Sequence, residues 1–348
     1  MRIDILTPLH YTRLNIEAQR GHANSGGGMS CLINAARATL SSRYQVNVCT
    51  EISELQSDVV IVDALFIAIR VVKDTHFKTV AEQSIAELQK DKENNPCRKY
   101  LLWCAEMSAF RWLPAERRAI TALVDGIAVT DPYIWQLFKV VGVTPLGYLC
   151  DAINPDLFRP VAKEMTVTAV GALKHIKNID WIIKVFRQLE GKMKRTYLGS
   201  AVLWSHEKRS EDRALVSKIE AVTEEYYPNA SPIEVAYHNA RAAFAVNDTW
   251  HDCSSRSNEE LLMSGVISIH GRHPLFNPRP GFRVKTPNEA AAKIAELTEN
   301  FTQLPAPRLH EQSRQWALEN VSTHKFMEQF ENLSTTFSII RKHTTRLR

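Results

Sequence analysis

Asp252 and Glu260 stand eight positions apart, and Leu261, Leu262 and Met263 then lead through Gly265 into the apolar run Val266 to Ile269. The pattern predicts a loop entering a short helix, with Glu260 on its first turn, and then a strand. Such a loop presents unpaired backbone N–H groups and the positive end of the helix dipole, a receptacle suited to a diphosphate. Carboxylates flanking it can accept hydrogen bonds from ligand hydroxyls. Arg256 and Ser257, between the two acids, are candidate contacts on the same side. An acidic helix cap would carry the same residues.

Two further segments have chemistry to offer. The run from Val170 reads as a strand that turns on Gly171, passes Lys174 and Lys177 and enters a helix near Asn178, so two ammonium groups lie at a strand-to-helix turn. Solvated loop lysines would look alike. Gly26, Gly27 and Gly28 follow the first strand and precede a helix from about Ser30 to Ser41. Glycines let a backbone pass close to a ligand, although a surface loop would use them equally. The run contains neither the Gly-Lys-Ser/Thr of a nucleoside-triphosphate loop nor a dinucleotide-binding glycine fingerprint. After the fourth strand, Glu106 could bind hydroxyls or act as a base, or simply cap a helix.

The elements that must position these residues alternate strand and helix, which predicts a parallel sheet in each half. Strand signals fall at Ile3 to Thr7, Gln45 to Cys49, Asp58 to Asp63, Tyr100 to Cys104 and Gly126 to Thr130. Phe77, Val80, Ser84, Ile85 and Leu88 recur at helical spacing. A helix from Ala115 to Val124 carries Glu116, Arg117 and Arg118 outward. The prolines and the Asn-Pro step between Asp151 and Pro160 mark a change of domain. The second series runs strand Thr166 to Val170, helix Asn178 to Leu189, strand Arg195 to Leu198 and a charged helix from about Asp212 to Tyr226. It continues with a helix opened by Ser231, Pro232 and Glu234, whose types give a capping box, and with strand Ala242 to Val246. The expected division is 1–152, 153–325 and a helix with a basic tail over 326–348.

With 348 residues the chain exceeds one ordinary core, and 45% apolar with 23% charged residues is the balance of a globular protein. The longest apolar run, Val59 to Val72, is broken by Asp63 and Arg70 and reads as a buried strand and its continuation, not a membrane span. The start of the chain lacks the layout of a signal peptide, so a cytoplasmic location is expected. The six cysteines form no Cys-x-x-Cys pair and read as reduced core thiols. The net charge of +5 favours an anionic partner only mildly. His10, His22, His175 and His251 have no metal-ligand spacing and no Asp-x-Asp occurs, so no metal is expected. Trp103, Trp112, Trp135 and Trp250 read as core or rim aromatics.

Taken together, the acidic pair, Gly171 with Lys177, and the Asn154 to Pro160 junction resemble the retaining glycosyltransferases of the two-Rossmann-domain (GT-B, family-4-like) type. That resemblance implies an α/β fold of two Rossmann-like domains with an interdomain cleft, and a nucleoside-diphosphate sugar, UDP-sugar by expectation, as donor. It implies that Lys177, helped by Lys174 or Arg256, neutralises the leaving diphosphate, that Glu260 holds the ribose and that Asp252 holds the transferred sugar. Gly26, Gly27, Gly28, Gly171 and Ser257 would complete the donor site. Two departures stand out: Ala172 occupies the family's arginine position, and Ala105 with Glu106 occupies its His-Asp position. The short stretch from Ala105 to Val124 is similar to the DNA α-glucosyltransferases of T-even bacteriophages. This implies a 5-hydroxymethylated pyrimidine in duplex DNA as acceptor, a bacterial host cytoplasm as location, and Arg111, Arg117, Arg118 and Arg272 (beside His273) as phosphate contacts. Contacts of that kind would place the duplex without reading its sequence, and the base would have to flip into the site. A solvated helix face accounts for the arginines as well. An envelope-glycan transferase, a non-catalytic DNA-binding protein and a sugar-nucleotide epimerase remain alternatives.

Overall fold

The computed structural model describes residues 1–8, 27–72, 76–79, 81–105, 112–171, 173, 177–199, 209–228, 230–248, 256–271, 279–299, 301 and 305–344. The chain forms two compact units. The first begins with β1 (Arg2–Leu6), α1 (Gly27–Ser41), β2 (Gln45–Cys49), β3 (Val59–Asp63) and α2 (Ala64–Ala68). A hairpin of β4 (Ile69–Val72) and β5 (His76–Thr79) follows, then α3 (Ala81–Asn94), β6 (Lys99–Cys104), α4 (Pro114–Leu123), β7 (Gly126–Val129), α5 (Pro132–Val140) and β8 (Gly147–Tyr148). Its six-stranded sheet has the order β2-β1-β3-β6-β7-β8, and every pairing is parallel. Its strands are near-continuous apolar runs such as Val60, Ile61 and Val62, all fully buried, as a sheet covered on both faces requires.

The second unit comprises Ile153 to Ser322 together with Gly27 and Gly28 at the start of α1. It holds β9 (Glu164–Val170), α6 (Ile179–Gln188), β10 (Lys194–Leu198), α7 (Arg209–Glu220), β11 (Glu225–Tyr227), α8 (Pro232–Arg241) and β12 (Ala242–Asn247). Then come α9 (Arg256–Met263), β13 (Ile267–His270), β14 (Phe282–Arg283), α10 (Pro287–Glu299) and α11 (Pro305–Asn320). This sheet is also wholly parallel, in the order β11-β10-β9-β12-β13-β14. Helix α6 buries Trp181, Ile182, Val185 and Phe186 against Val167, Ala169 and Tyr197 of the sheet. The chain then returns: α12 (Thr323–Thr344) belongs to the first unit, where Phe326 packs edge-on against Trp103 and Phe330 against Tyr44.

Several expectations need correction. Phe77 is not on the helix with Ser84, Ile85 and Leu88; it pairs with Val71 in the β4–β5 hairpin, and the helix starts at Ala81. The apolar run Val59 to Val72 is not one strand and its continuation but strand, one helical turn and a second strand. The charged helix ends at Glu220, because Glu225, Tyr226 and Tyr227 extend to pair with β10. A period of three to four residues cannot reveal that an edge strand is waiting for a partner. Cys97 is exposed, whereas Cys49, Cys104 and Cys150 are buried, and none of these four is in a disulfide. The Ser231 start signal is realised: its hydroxyl accepts from the Glu234 amide at 3.2 Å, and Glu234 accepts in return from the Ser231 amide at 2.7 Å.

Candidate functional site

In the second sheet β9 is laid down first, β10 is added on one side and β12 on the other. The chain therefore reverses direction between β9 and β12, and ligands of open α/β sheets bind beyond the carboxyl ends of strands at such a switch point. At the end of β9, Gly171 has φ 146° and its amide donates to Leu198 at 2.9 Å. Gly199 ends β10, and a Cβ built on it would lie 1.8 Å from the Gly171 carbonyl oxygen. Two glycines are thus pressed backbone to backbone. The Tyr197 hydroxyl donates to the same oxygen at 3.0 Å.

The side chain of Lys177 lies beside Gly171. Its Cε lies 3.7 Å from where a Gly171 Cβ would be, so the aliphatic stem runs along the bare glycine toward the strand end. Asn178 follows in the left-handed conformation (φ 42°, ψ 56°) that asparagine tolerates, and it opens α6. Its amide donates to the carboxylate of Asp248. Asp248 is completely buried at the end of β12, and its Oδ1 would lie 2.3 Å from a Cβ on Gly271, just beyond β13. One carboxylate therefore sits between Asn178 at the start of α6 and Gly271 just beyond β13.

Helix α9 connects β12 to β13, and a parallel crossover of this kind brings its N-terminus to the same edge. Arg256 and Ser257 are its first two residues; Glu260 is the fifth, on the second turn and not the first as expected. Arg256 Nε donates to Glu260 at 2.9 Å, with both side chains only 12–13% exposed. The two residues given separate roles by sequence are thus an ion pair one helical turn apart. Glu259 faces the other way into a buried pair with Arg279 at 2.9 Å. Beneath them Ser268 donates to Asn258 at 2.9 Å, and its hydroxyl lies 3.4 Å from His270. Burial, reinforced by the Arg279 guanidinium, pushes His270 down to about 4, so it is neutral at pH 7.

The first unit repeats the arrangement. Its switch point lies between β1 and β3, where Asp63, buried at the strand end, accepts from the Thr7 hydroxyl and the Leu65 amide, each at 3.0 Å. Burial pushes its carboxyl up to about 6. Gly27 and Gly28 are not in a loop: they form the first turn of α1. Arg117 and Arg118 lie on α4, Arg118 exposed and Arg117 half-buried. Glu106, Asp252, Gly26, Lys174, Arg111 and Arg272 fall outside the described residues, as do His10, His22, His175, His251, His273 and Trp250. Among the described residues no group of three His, Cys, Asp or Glu could hold a metal ion, and no helix is long and apolar enough to cross a membrane.

Sequence reasoning missed Asp63, Asp248 and the Glu259–Arg279 pair. A signal existed for the two aspartates, since each ends an apolar strand run, Val59 to Asp63 and Ala243 to Asp248.

No family model and no curated protein matches the sequence. Solved structures do. HepE of Anabaena, in complex with UDP and glucose, superposes with a TM-score of 0.67 at 12% identity over 96% of this chain and 100% of that one. Sucrose-phosphate synthase of Thermosynechococcus elongatus gives 0.65 at 12% identity over 98% and 100%. An alpha-glucosyltransferase in complex with UDP and a 13-mer DNA containing an HMU base gives 0.61 at 12% identity over 96% and 99%. With two parallel six-stranded sheets, each flanked by helices in a Rossmann-like unit, the chain has the GT-B fold.

Proposed function

We propose that the chain is a glycosyltransferase that moves a sugar from a UDP-sugar to a hydroxyl acceptor with retention of configuration. The observation that carries the reading is the switch-point edge of the second sheet, where Lys177 lies along Gly171 beside the Asn178–Asp248 contact and α9 begins at the same edge. Similar folds that hold UDP, UDP with glucose, or UDP-glucose support the choice of donor.

The costly step is departure of UDP, because negative charge accumulates on its β-phosphate as the glycosidic bond breaks. The Arg256–Glu260 pair is neutral as a unit and cannot supply the counter-charge by itself. That duty falls on the Lys177 ammonium and on the positive dipole end of α9, where Ser257 lies. Gly171 lets the diphosphate approach the backbone. Glu260 receives the ribose hydroxyls and Asp252 the transferred sugar, while Lys174 adds charge on the β9 side. Glycines 26 to 28 approach the donor, and Glu106 binds the acceptor hydroxyl. No metal is required in this scheme. The donor is assigned to residues 153–325 and the acceptor to 1–152.

The acceptor we favour is a 5-hydroxymethylated pyrimidine in DNA, with Arg111, Arg117, Arg118 and Arg272 on its phosphates. The observation favouring it is the likeness to the alpha-glucosyltransferase crystallised with UDP and DNA containing an HMU base. Incubation with radiolabelled UDP-glucose and hydroxymethylated duplex DNA tests it directly. Label should enter that DNA and not an unmodified duplex. Label passing only to lipid or polysaccharide would keep the enzyme and replace the acceptor. Absence of UDP binding would remove the enzyme itself.

A further inference from the structure

The opposite end of the second sheet holds a hollow that the donor site does not use. Along β9 the side chains alternate: Val167 and Ala169 enter the apolar core, while Glu164, Thr166 and Thr168 face the other side. A parallel strand buried on both faces would be apolar throughout, so this alternation marks a face built to be polar. Thr196 of β10 lies beside Thr168 in the register, and together with helix α8 these strands enclose a volume of about 220 Å³.

Charge and shape limit what can enter. Lys194 pairs with Glu225 at 2.7 Å and Arg241 with Glu164 at 3.6 Å, so two cations are balanced by two carboxylates. A phosphate would meet too little net positive charge, and a divalent cation would meet an ammonium and a guanidinium. The wall is aromatic: the Tyr227 and His238 rings lie 4.2 Å apart, tilted by 42°, and Tyr237 is 53% exposed with the Arg241 guanidinium 3.6 Å from its ring centroid. At the floor, Thr168 is completely buried and its hydroxyl oxygen has no hydrogen-bond partner among the described residues. A buried hydroxyl left without a partner is costly, and a ligand able to complete it would be favoured.

We infer that this hollow is a binding site for a neutral saccharide, one pyranose unit in size, at the edge of the sheet remote from the donor. A sugar ring has an apolar face for Tyr237 and a rim of hydroxyls for the threonines and the paired charges. The volume is below the roughly 300–1,000 Å³ of pockets for larger ligands and suits one ring. The site does not depend on the transfer activity.

The test is titration of glucose, galactose, N-acetylglucosamine and their methyl glycosides into the full chain, followed by calorimetry and by saturation-transfer NMR with UDP present to occupy the donor site. Saturable binding of at least one sugar is expected. Tyr237→Ala and Thr168→Val should each weaken it by about tenfold, the scale of one lost ring contact or hydrogen bond, and Lys177→Ala should leave it unchanged. Thr168→Val also separates binding from structure, because removing an unpartnered buried hydroxyl should hold or raise the melting temperature while sugar binding falls. No saturable binding by the wild-type chain, or equal affinity in both hollow variants, would overturn the inference. Loss of the signal in Lys177→Ala alone would also overturn it, by placing the sugar in the donor site.

Discussion

The contact between Gly171 and Gly199 makes a demanding prediction about how the proposed donor site is held. In Gly199→Ala the new methyl would begin 1.8 Å from the Gly171 carbonyl oxygen, where ordinary contact starts near 3.4 Å. The strand ends must separate by roughly 1.6 Å, and the substituted residue is additionally strained by φ 155°. Strain and lost backbone contact together should destabilise the chain by about 3 kcal/mol or more. Lys177 lies along Gly171, so its ammonium should shift by a similar distance. A displacement of ~1 Å in a catalytic group can cost ~100-fold in rate, and turnover should fall by that order. Gly191→Ala is the matched control: its φ is 68° and nothing among the described residues lies within 4 Å of the added carbon, so only the conformational cost of ~1 kcal/mol applies. Thermal unfolding, calorimetric UDP binding and turnover of UDP-glucose would be measured on both variants. Equal losses of stability and UDP affinity in the two would show that the glycine contact does not organise the site.

Other expectations follow from the same structure. Lys177→Ala should lower turnover by about 100- to 1,000-fold with a small change in stability, the scale of one lost electrostatic stabiliser; an unchanged rate would remove Lys177 from the leaving-group site. Glu260→Ala should weaken UDP binding seen by calorimetry, and because it also releases Arg256 from its ion pair, retained affinity would refute the ribose role. Glu259→Ala leaves the Arg279 guanidinium, 3% exposed, without its carboxylate and should cost about 3–5 kcal/mol, whereas Glu259→Leu with Arg279→Met should recover most of it; urea titrations showing no such rescue would place the cost elsewhere. Lys163 is held by the carbonyls of Ala240 at 2.9 Å and Ser264 at 2.7 Å, and burial pushes its ammonium down to about 7. The folded chain then binds fewer protons than the unfolded one between pH 7 and the usual lysine range near 10.4, so stability should rise across pH 7 to 9 by at most about 1.4 kcal/mol per unit. Lys163→Met should flatten that slope, and an equal slope in both proteins would refute the assignment.

Local chemistry explains what the sequence disclosed. Gln45–Cys49 is bounded as expected because its apolar residues sit between turn residues, and α8 starts where Ser231, Pro232 and Glu234 place it. Errors arose where a distant partner decides the outcome. Tyr226 sits at helical spacing from the residues before it, yet it extends because β10 offers an open edge. Gly27 and Gly28 are poor helix residues by propensity and still begin α1. The Arg256–Glu260 pairing was within reach, since four residues apart on a helix is salt-bridge spacing. The meeting of Asn178, Asp248 and Gly271 was not: they span 94 positions of sequence and adjoin only because β9, β12 and β13 are neighbours in the sheet.

Helix α12 has a consequence for biosynthesis. Phe326 and Phe330 fill space against Trp103 and Tyr44, residues that leave the ribosome more than 200 positions earlier. During translation the amino-terminal sheet must wait with that apolar surface uncovered while the whole of the later unit is made and given time to fold. A chain truncated after Ser322 would therefore pair a folded second unit with a first unit whose apolar surface at Trp103 and Tyr44 stays open to chaperones and aggregation.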